Sequence, residues 1–447
     1  MKTPIFDFVK RYREADVSRF HMPGHKGSRF LGCESMDITE IAGADVLYHA
    51  DGIIAESEAN ATALFGTAHT FYSAEGSTLA IKAMLKLVTA DRKEERPLIL
   101  AGRNAHKAFI YGAALLDLDV EWLYPAEKSH LCACEITPAM LHAKLAGMTR
   151  KPCAVYITSP DYLGHMADIA GLSAVCRAFR VPLLVDNAHG AYLKFLTPSR
   201  HPIDLGATMC CDSAHKTLPV LTGGAYLHIS GDAPLSYLAD ARNALSLFAS
   251  TSPSYLILQS LDLCNAYLAD HYEEKLSNMI GCVAYTKKML TSLGFAPEES
   301  EPAKIVIHAA KYGYTGEALA QTLRYAKVEA EFADDEYLVL MASPENCAQD
   351  FERLLTALAD LPRRIPLPRA PMYVEKGVAA VSLRDAMLGR QELVDVRDAV
   401  GRICAMPTVS CPPAVPIATS GEIITENAVR LFHRYGISKI AVLKHHF

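Results

Sequence analysis

The sequence predicts an α/β protein, with a large, mainly parallel sheet covered by helices and a smaller C-terminal α+β unit. Three observations predict it. From about residue 60 to about 235, short apolar or β-branched runs alternate with amphipathic helical ones, as strand–helix crossovers require. A long helical stretch then fills 254–290, and a shorter mixture of strands and helices follows it. The chain has 447 residues, 50% hydrophobic and 21% charged, which suffices for two cores.

In chain order, "TFYS" leads into a first strand end, and further strands are expected at "PLILA" (97–101), "VEWLY" (120–124), "CAVYITS" (153–159), "VPLLVD" (181–186), "ATMCC" (207–211) and "GAYLHI" (224–229). Between them "NAHKAFIYGAALL", "TPAMLHAKLAG" and "LSAVCRAFR" place apolar residues at helical spacing. The stretch 254–290 reads as one long connecting helix. The smaller unit reads strand "AKIVIHA", helix "TGEALAQTLRYA", strands "VEAEFAD" and "YLVLMAS", and helix "NCAQDFERLLTALADL", before a tail with a helix of its own. The expected division is an N-terminal arm over 1–35, a large domain with its connecting helix over 36–285, and a small domain over 286–447.

A net charge of −6 gives no electrostatic footprint for nucleic acid or an anionic membrane, so a small molecule is the default partner. No apolar run reaches membrane-spanning length, and the N-terminal segment lacks the apolar core of a secretory signal. Twelve cysteines are too sparse for a disulfide scaffold and lack the paired spacing of zinc sites. They read as reduced and mostly buried, with no metal, which points to the cytoplasm.

Four segments at the predicted strand ends carry unusual chemistry. In "AEGSTLAIKAML", Gly76, Ser77 and Thr78 begin a helix, where backbone N–H groups and two hydroxyls suit a phosphate. "AGRNAHKAF" puts His106 just past a strand, and "PLLVDNAHGA" delivers Asp186 and His189 from an apolar one. A carboxylate at the end of a buried strand needs a cationic or hydrogen-bonding partner. "CCDSAHKTLPVLTGGAYLHI" brings Ser213, His215 and Lys216 out of a strand, with Gly223 and Gly224 close behind. Each segment alone also reads as capping or packing, and an isolated lysine there as a solvated turn. Together they suit pyridoxal 5'-phosphate, held as a Schiff base on Lys216. Asp186 would pair with the ring nitrogen, His106 would cover the ring, and Gly76, Ser77, Thr78, Ser213 and His215 would hold the phosphate.

The order and context of these segments resemble the Orn/Lys/Arg decarboxylase family. The likeness includes "FHMPGHKG" (20–27), "MDITEIAGADVLYHADGII" (36–54), "YSAEGST" (72–78), "RNAHKA" (103–108), "TSPDYLG" (158–164), "VDNAHGA" (185–191), "SAHKTL" (213–218), "STSPSYLILQSLD" (250–262) and the tail "GRICAMPTVSCPPAVPIATSGEII". The resemblance implies the pyridoxal-phosphate fold type I, with a large domain on a mainly parallel sheet of the seven-stranded type. It implies Lys216, Asp186, His106 and His189 as catalytic groups, with Gly76, Ser77, Thr78, Ser213 and His215 completing the cofactor site. It also implies a homodimer with active sites at the interface, served by the "FHMPGHKG" and "STSPSY" segments. The first family motif begins at Phe20, so the extra N-terminal receiver-like domain of larger members is expected to be absent.

The implied reaction is α-decarboxylation of a basic amino acid, arginine first and then lysine or ornithine, in polyamine synthesis. Glu422 in "SGEII" is the candidate acceptor for the substrate's distal cation. Two departures bear on this: Glu75 places a negative charge beside the phosphate cup, and Ala414 and Ser420 stand where the family has glycine and proline. Two other readings stay open. One is a different reaction on the same scaffold, such as transamination, for which Arg324 and Arg384 are candidate carboxylate clamps. The other is a cofactor-binding homologue without turnover.

Overall fold

The computed structural model describes residues 1–90, 95–125, 130–368, 373–407 and 414–444. Short, mostly apolar runs form the strands of a seven-stranded sheet. They are β1 (His69–Ser73), β2 (Leu98–Gly102), β3 (Asp119–Leu123), β4 (Ala154–Thr158), β5 (Leu183–Asp186), β6 (Met209–Asp212) and β7 (Ala225–Ile229). Their spatial order is β1-β7-β6-β5-β4-β2-β3. β2 pairs with β3, and β5 with β6, in parallel; β7 runs antiparallel to both β6 and β1. Most of these strands are buried along their whole length and so are largely apolar without polar alternation, the exceptions being Asp186 in β5, Asp212 in β6 and His228 in β7.

By its contacts the chain divides into two units, one of 1–93, 153–156 and 169–274, the other of 94–152, 157–168 and 275–447. In the first unit, the helix Gly76–Thr89 buries Leu79, Ile81, Met84, Leu85 and Val88. Phe65 packs its ring against Phe195, His201, Tyr226 and His228. Removing such a ring costs about 3–5 kcal/mol in lost burial and cavity. The stretch expected as one helix is two, Tyr255–Leu268 and Tyr272–Ser292. The chain breaks at 269–271, where His271 adopts a left-handed φ of +53°.

The second unit holds a three-stranded antiparallel sheet of β8 (Lys304–His308), β9 (Phe332–Ala333) and β10 (Tyr337–Met341), with β10 central. The expected strand "VEAEFAD" is regular only at Phe332–Ala333. Helices Gly316–Tyr325 and Ala348–Ala359 accompany it, the first capped by the Thr315 side chain. The tail adds a strand pair not anticipated from sequence, β11 (Gln391–Asp395) against β12 (Lys439–Leu443). Val396, Ile417, Phe432 and Val442 form the core behind it. Among the described residues no helix is long and apolar enough to cross a membrane.

Candidate active site

Three strand ends of the first unit finish along one edge. β1 and β6 both run antiparallel to β7, and β5 is parallel to β6, so β1, β5 and β6 point the same way. The segments that leave them are 74–78, 187–190 and 213–217. Carboxyl ends of strands are where open α/β sheets bind ligands.

Asp186 closes β5 at 2% exposure. Its Oδ2 accepts from the Tyr156 hydroxyl at 2.9 Å, and its Oδ1 accepts from the Ala188 amide at 3.2 Å and the Cys211 thiol at 3.7 Å. Burial, and then the Asp186 charge, push the Tyr156 hydroxyl and the Cys211 thiol well above their ordinary pKa values. Both therefore stay protonated and donate to the carboxylate. A carboxylate offers about four acceptor positions, so room remains for a further donor.

Lys216 lies in the short helix Ala214–Thr217 that follows β6, and its side chain is exposed. Its Nζ stands 3.0 Å from Nε2 of the buried His189. The turn after β5 and the helix after β6 thus bring an amine and an imidazole together from residues 27 apart in sequence.

Gly76 opens the helix Gly76–Thr89 with φ +70°, a left-handed conformation natural to glycine. The N-cap residue, Glu75, makes no side-chain cap, so the first N–H groups are not closed off by it. The Ser213 hydroxyl donates to the Ser77 hydroxyl at 2.8 Å, and Thr78 follows in the same helical turn. The Gly223–Gly224 pair has its reason here. The Gly76 amide donates to the Gly223 carbonyl at 2.7 Å, and a Cβ on Gly223 would sit 3.0 Å from the Ala74 carbonyl oxygen.

His215 commits Nδ1 to the Gly224 carbonyl at 2.9 Å. Burial lowers its pKa, the Gly224 carbonyl opposes that, and the neighbouring Lys216 cation adds to it. With Nδ1–H so engaged, the ring grips an anion at Nε2 only by taking a second proton, which the anion itself favours. Glu75 is exposed and turned to the Ser250 amide, which donates to its Oε1 at 2.6 Å.

The other sequence candidates lie in the second unit. His106 caps the helix Lys107–Leu115, its Nδ1 accepting from the Ala108 amide at 3.1 Å. Glu422 is buried; it accepts from the Thr419 amide at 2.8 Å and faces the Arg103 guanidinium at 3.5 Å. Arg103 also donates to the Pro416 and Ile417 carbonyls. Arg324 is exposed and bonded to Glu329 and Gln321, and Arg384 is exposed and bonded to the Leu115 carbonyl.

Sequence reasoning missed Tyr156, Cys211, Asn187 and Asp212. Tyr156 had one usable signal, a hydroxyl inside an otherwise apolar strand, which must find a buried partner.

The sequence model of the Orn/Lys/Arg decarboxylase major domain matches residues 3–308. The chain is 28% identical to the "Uncharacterized protein YaaO" of Bacillus subtilis (strain 168), over 97% of this chain and 94% of that one. It is likewise 28% identical to an arginine decarboxylase of Halalkalibacterium halodurans, over 95% of this chain and 92% of the relative. Among solved structures it resembles the Francisella novicida lysine decarboxylase LdcF, with a TM-score of 0.80 at 16% identity, over 99% of this chain and 81% of that one. That last likeness is one of fold, and the fold is the fold type I expected from the sequence. From the match over two thirds of its length, together with the ordered strand-end motifs, the chain belongs to the Orn/Lys/Arg decarboxylase family.

Proposed function

We propose that the protein is a pyridoxal-phosphate-dependent decarboxylase that removes the α-carboxylate of a basic amino acid, arginine before lysine or ornithine. The observation that carries this reading is the Lys216–His189 pair at 3.0 Å, on the edge that also holds Asp186, Ser77 and Ser213. An amine, a buried carboxylate and a hydroxyl-lined helix start are the three kinds of group this cofactor requires, so the residues fit it. Lys216 is the proposed Schiff-base residue and Asp186 the partner of the ring nitrogen. Ser77, Thr78, Ser213, His215 and the backbone at Gly76 hold the phosphate, and the family motif assigns His106 to the ring face.

When bound, pyridoxal phosphate supplies the sink for the electron pair left behind by departing carbon dioxide. The chain's own residues manage charge and protons. Asp186, held by its three donors, would favour a proton on the cofactor's ring nitrogen. His189 takes a proton from Lys216 Nζ or returns one, and either group delivers the proton that replaces the carboxylate on Cα.

Relatives named arginine decarboxylase support arginine as the first substrate. A buried guanidinium needs acceptors, and two in one plane bind it in a way an ammonium cannot copy. Glu422 is the proposed acceptor, sharing its carboxylate with Arg103. The test measures carbon dioxide with agmatine, cadaverine or putrescine from arginine, lysine or ornithine. Arginine is expected to give the highest kcat/KM. Faster lysine or ornithine turnover would reject the substrate choice alone, whereas no amine from any of the three with cofactor bound would reject decarboxylation.

The active unit is proposed to be a homodimer. Phe20 is 96% and Leu31 91% exposed in the isolated chain, and Met22 and Phe30 are exposed beside them. So much uncovered apolar surface in and beside the "FHMPGHKG" segment supports a contact face there. Light scattering at assay concentration should give about twice the 48.7 kDa chain mass. Full activity in a monomer would refute the proposal.

A further inference from the structure

Behind the edge that carries Lys216, one buried carboxylate collects hydrogen bonds from three other segments of the chain. Asp212, the last residue of β6, accepts on Oδ1 from Asn187 Nδ2 at 2.6 Å. Its Oδ2 accepts from His201 Nε2 at 3.0 Å and His228 Nε2 at 3.1 Å. All four side chains are fully buried, and the Phe65 ring packs over both imidazoles. His228 lies on β7, and its Nδ1 meets the Thr70 hydroxyl of β1 at 2.9 Å. The cluster therefore joins β1, β5, β6 and β7, including every strand that ends in the site.

Burial alone would raise the Asp212 pKa, but the His201 and His228 imidazoles outweigh it and hold the carboxyl well below its usual range. Three N–H groups thus converge on one fixed negative charge. The Asn187 amide must turn its NH₂ inward, because its carbonyl would otherwise face a carboxylate oxygen at 2.6 Å. That amide forms the floor of the turn bearing His189. A Cβ on Gly190 would lie 2.0 Å from Asn187 Oδ1, and on the backbone the Gly190 N–H donates to the Asn187 carbonyl at 2.8 Å and the Asn187 N–H to the Cys211 carbonyl at 3.0 Å.

We propose that Asp212 is a positioning residue: through Asn187 it fixes the 186–190 turn against the 213–217 segment, and so sets Asp186 and His189 relative to Ser213 and Lys216. The inference rests on the reading of Lys216 as the cofactor-bearing lysine, and deepens it by naming what holds the two halves of that site in register.

The test is an exchange of the hydrogen-bonding partners. Asn187→Asp sets two carboxylates against each other. The double variant Asn187→Asp with Asp212→Asn restores a donor–acceptor pair with its direction reversed, while the carbonyl of the amide introduced by Asp212→Asn still receives both imidazoles. Each protein is assayed for melting temperature, for cofactor affinity by titration, for kcat and KM, and for hydrogen exchange in peptides covering 186–190 and 213–217 without cofactor. Asn187→Asp is expected to speed exchange in both peptides and to weaken cofactor binding and kcat by about tenfold or more, with KM less affected. The double variant is expected to recover to within about threefold. A double variant no better than the single one would overturn the proposal. So would a folded Asn187→Asp protein with unchanged cofactor affinity and exchange. His201, Cys210 and Asp212 offer ligand atoms within 4.8 Å of one another, so a stoichiometric transition metal in the purified protein would also overturn it, by making them ligands. Failure of the wild-type chain to take up cofactor would count against the proposed function, while the exchange data would still decide the role of Asp212.

Discussion

Asp186→Asn is expected to lower kcat by about 10²–10⁴-fold while the chain stays folded and keeps much of its cofactor affinity. The substitution nearly preserves volume, so β5, whose other residues Leu183, Leu184 and Val185 are apolar and buried, has no packing reason to fail. Charge is what changes. The carboxylate now accepts from Tyr156 on one oxygen and from Ala188 and Cys211 on the other. An amide has a single acceptor oxygen, so either Tyr156 or the opposite pair meets an NH₂ group, and nothing remains to hold a proton on a ring nitrogen. A melting temperature close to wild type alongside the collapse in kcat would place the effect in the chemistry. Near-normal turnover in the folded variant would show that Asp186 is structural.

Lys216→Ala is expected to abolish turnover by several orders of magnitude and to remove covalent attachment of the cofactor. It deletes the partner of His189, so the proton pathway and the amine disappear together. Lys216→Arg keeps the positive charge but offers no amine able to form the Schiff base, and should fail as completely. Lys216 is exposed, so neither change touches the core, and thermal stability should hold. Residual activity in Lys216→Arg within about tenfold of wild type would assign the residue an electrostatic role only.

Much of this arrangement was legible in the sequence. The strands at 97–101, 120–124 and 224–229 match β2, β3 and β7 to within one residue. Buried strands announce themselves by composition, and the polar residues at their ends stand out against it. Lys216, Asp186 and His189 were visible for that reason. The partners of Tyr156 and Asp212 were not legible, because they depend on which strands lie side by side, and spatial order is not written in local sequence. The direction of Glu75 was equally hidden, since its partner Ser250 lies 175 residues away. The β11–β12 pair escaped notice for the same reason, joining segments more than forty residues apart.

The central claim, that Lys216 carries the cofactor, is tested most directly by reducing the cofactor-loaded protein with borohydride and mapping the modified peptide. The predicted result is one pyridoxyl group per chain, on the lysine of "SAHKTL", with loss of the visible absorbance. A label on any other lysine, or none after incubation with excess pyridoxal phosphate, would contradict it.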